Sequence, residues 1–186
     1  MPAGRPRTPG PPFFTPSSRT APPRRIPSNH NKTLPMHPNT AFEKNHLIRF
    51  HHCDPAGIVF YPEYLVIIDE LIEDWFIEGM DMSFADLHMN ERIGVPAARI
   101  EVDFIAPSKI GDILCLSLLV TRLGNKSFTL MVEGRVGEQV RMRAILVRVV
   151  AGLDGLHGIT IPPALRNQLR RFLAADGVDL LETQQA

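Results

Sequence analysis

The residues of this chain best able to do chemistry lie in one run, His51-His52-Cys53-Asp54-Pro55-Ala56-Gly57-Ile58-Val59-Phe60-Tyr61-Pro62-Glu63-Tyr64. Asp54 opens an Asp-Pro-Ala-Gly turn, in which Asp, Pro and Gly have their usual turn roles. Pro62 suits the first turn of a helix, where its missing N–H is not needed. A carboxylate there is a base or nucleophile beside a helix start, whose outward N–H groups and dipole favour negative charge. An Asp-Pro-Ala-Gly turn also forms for purely structural reasons, so the signal lies in the whole run. Two other chemistries use the same letters: His51, His52 and Asp54 as metal ligands, and Cys53 with a histidine as a thiol nucleophile. Adjacent residues of an extended segment point to opposite faces, which separates His51 from His52 and Cys53 from Asp54. No metal site is expected.

The elements that must position this run follow from periodicity. His46–Phe50 alternates as a short strand before the turn. From Pro62 to Glu78 the period is helical, with Leu65, Ile68, Ile72, Trp75 and Phe76 as the apolar stripe. Gly79 ends it, and Ser83 caps a short helix running to Met89. The pattern then turns to period two. Strands are expected over Arg99–Ile105, Ile113–Arg122, Ser127–Val136 and Gln139–Val150, separated by Pro107, Gly111, Gly124-Asn125 and Gly137-Glu138. Residues 152–158 read as a loop and Pro162–Ala174 as a closing helix. Ile113–Val120 is almost continuously apolar, as in a strand covered on both faces. The simplest architecture is α+β: an antiparallel sheet of about five strands curls round one long helix. A second copy extending the sheet would help cover that strand, so a homodimer at least is expected.

Charge and composition bound the rest. The 186 residues include 20 Lys+Arg and 20 Asp+Glu, so no overall charge argues for nucleic acid or a membrane surface. Residues 1–40 hold six of the basic residues, no acidic one, and 11 of the 17 prolines. They read as a disordered leader, with Met36 a candidate start. A basic tail, a Pro-rich ligand and a transit peptide are weaker readings, since six interleaved charges make a thin patch and the prolines forbid an amphipathic helix. The folded domain is expected over 41–176, with a flexible tail at 177–186. No apolar run reaches the length of a membrane span, and the leader lacks a secretory apolar core. Two cysteines, Cys53 and Cys115, make no disulfide framework and suit a reducing compartment, so a cytoplasmic location is expected.

The run CDPAGIVFYPEYL resembles the signature of the 4-hydroxybenzoyl-CoA thioesterase family of hotdog-fold acyl-CoA hydrolases. Asp69 in the long helix, Val102-Asp103-Phe104, Lys126-Ser127-Phe128, Met142-Arg143-Ala144 and Val147-Arg148-Val149 resemble further parts of that family, over roughly residues 44–175. The resemblance implies a hotdog fold and hydrolysis of an acyl-CoA thioester, aromatic or short-chain. It implies Asp54 as nucleophile or general base and the backbone N–H of Tyr61 as oxyanion donor. Gly57 would let the chain approach substrate closely, and Pro62 would fix the first helical turn. Coenzyme A enters as part of the substrate, with no further cofactor, and its phosphates call for basic residues. Lys126 matches the family motif directly; Arg122, Arg143 and Arg148 are the other candidates. The resemblance also implies a homodimer or homotetramer with sites between subunits. An acyl-carrier-protein thioesterase and a non-catalytic acyl-binding protein of the same fold stay open as alternatives. Asp69 reads either as a solvated helix position or as a second carboxylate near Asp54.

Overall fold

The protein is described by a computed structural model covering residues 41–179. The leader expected over 1–40 and most of the expected tail lie outside the described residues.

β1, Phe42–Leu47, is the first strand, and its alternating burial suits a strand at a sheet edge. It ends earlier than expected, because Arg49 and His52 bond to each other and fold Phe50–His52 into a 3-10 turn. α1 runs from Tyr61 to Asp74 and continues as one wide π-type turn over Trp75–Gly79, closed by Met80 N–H to the Trp75 carbonyl at 2.9 Å. Its buried stripe is Tyr64, Ile67, Ile68, Leu71, Ile72, Trp75 and Phe76. Leu65, expected in that stripe, is only half-buried at its edge. The wide turn brings both Trp75 and Phe76 to full burial. Gly79 is there for packing as well as for termination: a Cβ would lie 2.7 Å from the Trp75 ring.

α2, Phe84–Met89, starts as expected, with Ser83 Oγ accepting the Asp86 N–H at 3.0 Å. The remaining elements are β2 (Ile93–Gly94), β3 (Ala97–Phe104), β4 (Ile113–Leu123), β5 (Ser127–Val136), β6 (Gln139–Val149), β7 (Ala151–Gly152), β8 (His157–Gly158), α3 (Pro163–Arg170) and β9 (Leu173–Asp179). The main sheet runs β1-β4-β5-β6-β3 with antiparallel neighbours. β9 pairs in parallel with the far end of β4, at Val120–Leu123, beyond the stretch that β1 occupies. This strand was not read in the sequence, and it crosses the domain boundary expected at 176. The loop expected at 152–158 is a small hairpin, with β2-β7-β8 as a second sheet.

The sheet wraps α1. Leu114, Leu116, Leu118 and Val120 of β4, with Leu130 and Val132 of β5, close on the helix stripe. Each such side chain contributes about 1.5–3 kcal/mol by leaving water. On the other face of β4, Cys115, Ser117 and Leu119 are half-exposed in the single chain. β3 is the open edge, with Ile100 42 % and Phe104 49 % exposed, and an edge of this kind invites pairing.

Candidate active site

The Asp54 turn is a small clamp hung between the sheet and α1. Cys53 and Val59 face each other as an isolated antiparallel bridge. Around it, Asp54 N–H donates to the Ile58 carbonyl at 3.0 Å and Phe60 N–H to the His52 carbonyl at 2.9 Å. Gly57 N–H closes the turn onto the Asp54 carbonyl at 2.9 Å. Gly57 has φ +76° with open space where a Cβ would sit, so the backbone angle, not crowding, demands glycine. Ala56 N–H donates to Asp54 Oδ1 at 2.8 Å, which fixes the carboxylate as an Asx turn and directs one oxygen inward to the loop.

The clamp is anchored on its far side. Val59 N–H donates to the carbonyl of buried Ser108 at 2.9 Å, and Ser108 N–H reaches the Tyr64 hydroxyl of α1 at 3.3 Å. Strand, turn and helix start therefore hold one geometry. Phe60 is the N-cap of α1, Tyr61 its first helical residue, and Pro62 lies in the same turn. At that position the Tyr61 N–H has no partner inside the helix, and the helix dipole adds positive potential. Asp54 is half-buried, while Gly57 and the Tyr61 ring are exposed. A carboxylate and a helix N-terminus thus share one solvent-reachable segment, the pair that acyl-transfer chemistry uses.

The predicted basic residues lie elsewhere. The Asp54 turn bridges to Lys109, next to the start of β4, whereas Arg122 and Lys126 sit at its other end. Eleven residues of strand span about 33 Å, so one chain does not bring the two groups together. Arg122 is exposed and lines a cavity of about 290 Å³ with Asn125, Ser127 and Thr129; Lys126 is exposed beside it. Arg148 departs from its expected role. It is 8 % exposed, ion-paired with Asp69 of α1, and reaches the Val95 carbonyl at 3.4 Å, so its guanidinium is not held out for a phosphate. Arg143 is exposed and bonded to Glu133 at 2.7 Å. Asp69 is tied to Arg148 and is not a partner of Asp54. It borders a cavity of about 420 Å³ whose lining includes Ile72, Phe84, Val95, Arg148 and Leu153.

Among the described residues, no group of three or more His, Cys, Asp or Glu is placed to hold a metal ion. Cys115 is half-buried on the outer sheet face, where burial pushes its thiol pKa up. His52, considered in the sequence as a metal ligand or a thiol partner and set aside as both, is a buried hydrogen-bonding residue at the root of the turn.

Comparison with known proteins joins this geometry to a family. The profile of the Thioesterase superfamily matches residues 56–147. A 1,4-dihydroxy-2-naphthoyl-CoA hydrolase of Nostoc punctiforme is 31 % identical over 105 residues, covering 56 % of this chain and 70 % of the relative. The chain belongs to the thioesterase superfamily. A second relative of this thioesterase, the 4-hydroxybenzoyl-CoA thioesterase of Pseudomonas sp. strain CBS-3, is 29 % identical over 62 % of this chain and 87 % of its own length. The solved structure of a gentisyl-coenzyme A thioesterase superposes with a TM-score of 0.62 at 27 % identity, covering 67 % of this chain and 99 % of the other. The fold is the hotdog fold, as the sequence resemblance implies, and the chain is a thioester hydrolase by family. The profile match begins two residues after Asp54, so the role of that carboxylate rests on the turn and its surroundings.

Among the described residues, no helix of the thioesterase is long and apolar enough to cross a membrane.

Proposed function

We propose that this thioesterase hydrolyses aromatic acyl-CoA esters to the free acid and coenzyme A. The observation that carries the reading is the clamp itself: Asp54 is fixed by Ala56 and Ile58 within a segment that ends at the Tyr61 N–H. In the reaction, the thioester carbonyl oxygen sits at the Tyr61 N–H, where the charge that develops on it meets a donor and a helix dipole. The Asp54 carboxylate supplies the attack on the carbonyl carbon, directly as nucleophile or by taking a proton from water. The C–S bond breaks and coenzyme A leaves as the thiol with a proton that comes from water. On the general-base route the attacking water gives the acid directly, and on the nucleophilic route water then hydrolyses the Asp54 mixed anhydride to the free acid. Gly57, exposed and without a side chain, lets the backbone lie close to the ester.

The aromatic class is supported by the relatives, which are named for dihydroxynaphthoyl, hydroxybenzoyl and gentisyl esters. The cavity of about 420 Å³ beside Ile72, Phe84 and Leu153 is large enough for an aryl group, with mostly apolar walls that Glu73, His88 and the Asp69–Arg148 pair interrupt. Asp69 lies eight residues beyond Tyr61, about 12 Å along the helix. That offset, and the opposite placement of Arg122 and Lys126 on β4, are met when two chains share a site. We therefore include a homodimer or homotetramer in the proposal, with Arg122 and Lys126 of one copy serving the phosphates of an ester held at Asp54 of another.

Free-thiol release from 1,4-dihydroxy-2-naphthoyl-, 4-hydroxybenzoyl-, gentisyl-, acetyl- and butyryl-CoA tests the substrate class. The aryl esters are expected to exceed the acyclic ones in kcat/KM by at least ~10-fold. A preference for butyryl- or acetyl-CoA would contradict it, and turnover of a carrier-protein ester alone would move the reading to that substrate.

A further inference from the structure

Four polar or charged side chains are buried among the described residues, namely His52, Ser108, Arg148 and Arg166. A buried polar group needs a reason. His52 is 6 % exposed and stands two residues before Asp54. Three of its atoms are engaged. Its N–H donates to the Arg49 carbonyl at 3.1 Å, its ring Nδ1 accepts the Arg49 N–H at 3.0 Å, and its carbonyl accepts the Phe60 N–H at 2.9 Å. The first bond, with Cys53 N–H donating to the Phe50 carbonyl at 3.1 Å, makes the 3-10 turn; the Nδ1 bond closes it a second time from the side chain, and the third ties the turn to the N-cap of α1, one residue before Tyr61.

An imidazole nitrogen that accepts a backbone N–H is unprotonated, so the ring is neutral with its proton on Nε2. We propose that His52 is a positioning residue for thioester hydrolysis: its neutral ring locks the turn that aims both Asp54 and the Tyr61 N–H, and proton uptake at Nδ1 unlocks it. The inference rests on the roles proposed above for Asp54 and Tyr61. With a proton on Nδ1, the ring and the Arg49 N–H become two donors facing each other, and the bond between them is lost. The same span then holds Phe60 less firmly, and the oxyanion donor drifts.

The surroundings oppose the charged ring. The His51 ring lies 4.0 Å away and the His46 ring of β1 5.0 Å away, centre to centre, while Glu63 and Glu70 of α1 act the other way. Burial comes first among the causes, then His51 and His46, and together they hold the His52 pKa below its ordinary 6.5. The lock is therefore closed at neutral pH and opens on acidification.

Two variants test it in the full chain, with 4-hydroxybenzoyl-CoA as probe and Asp54→Asn as control. His52→Leu removes the acceptor and is expected to lower kcat at least ~10-fold with KM changed less than about 3-fold. His52→Asn restores an acceptor oxygen near the place of Nδ1 and is expected to recover most of that loss. The native enzyme is expected to lose activity as pH falls below 6.5, and His52→Asn is expected to lack that loss. A readout free of substrate accompanies these: the Arg49 and Phe60 amide resonances should titrate together with the His52 ring in the native chain and stay still in His52→Asn. If His52→Leu does not fold, the His52→Asn profile and the amide titration decide. Native-like kcat in His52→Leu, or an unchanged acid limb in His52→Asn, overturns the inference while an inactive Asp54→Asn leaves the catalytic reading standing. Full activity of Asp54→Asn would instead overturn that reading, and the amide titration would still judge the lock.

Discussion

Arg148 of β6 and Asp69 of α1, 79 residues apart in sequence, form an ion pair that ties the long helix to the sheet. The pair is lopsided: the Arg148 side chain is 9 % exposed and that of Asp69 63 %. The charge that depends on the contact is thus the arginine. Removing the carboxylate leaves a buried cation with little besides the Val95 carbonyl, whereas removing the arginine leaves an acid that water can solvate.

Asp69→Asn is accordingly expected to destabilise the fold by about 1–3 kcal/mol, and Arg148→Met, similar in volume and apolar, by less. Urea midpoints at constant m-value read the difference. The reverse ranking would mean that Arg148 matters through its packing and not through its charge.

Gly57→Ala places a Cβ at φ +76° in open space, so strain alone is at stake. The expected cost is about 1–2 kcal/mol. The same strain should tilt the clamp and lower kcat more than it raises KM. A stability cost with native kinetics would separate the turn from the chemistry.

Stability should decline in mild acid. His46 and His52 are both held below 6.5, in each case by burial first. The folded chain keeps them neutral while the unfolded chain takes up protons. Their contribution is therefore full above pH 6.5 and is lost as pH falls towards the folded values. Glu133 adds a second decline below its ordinary 4.5. Partial burial raises its pKa, but hydrogen bonds from Arg143 and Arg135 outweigh that and hold it down. Urea midpoints at pH 7.5, 6.5, 5.5 and 4.5 check the sign; a midpoint that rises on going from 7.5 to 5.5 would contradict it.

Charge reversal at the far end of β4 tests the shared site. Arg122→Glu with Lys126→Glu is expected to raise KM for an acyl-CoA at least ~10-fold with kcat little changed, because in the proposed shared site these side chains would meet phosphates and not the reacting carbonyl. Light scattering on the native chain should give two or four copies. A fully active monomer would remove the reason for placing those residues in the site.

The parts of this fold that were legible in the sequence are those written by local rules. Ser83 before Phe84 capped a helix, and the Gly124-Asn125 and Gly137-Glu138 turns placed β5 at its observed ends. The DPAG-to-YPEY run placed the Asp54 turn before the helix start. Other features depend on distant contacts. Nothing local marks Leu173–Asp179 as a strand, since its partner is the far end of β4. Helical periodicity places the stripe only to within a residue at its start, where Tyr64 rather than Leu65 points inward and reaches Ser108. Arg148 looked like a free cation on a strand because its partner is 79 positions away. The role of His52 is not legible because it is a bond to the backbone of Arg49, which no side-chain pattern advertises.

The proposed role of the Asp54 carboxylate stands or falls on thiol release by the native enzyme beside Asp54→Asn. The substitution keeps the oxygen that accepts the Ala56 N–H, so the turn should survive. In Asp54→Asn, kcat on an aryl-CoA ester is expected to fall at least ~10²-fold with the fold intact by circular dichroism. An Asp54→Asn enzyme that turns over at the native rate would contradict it.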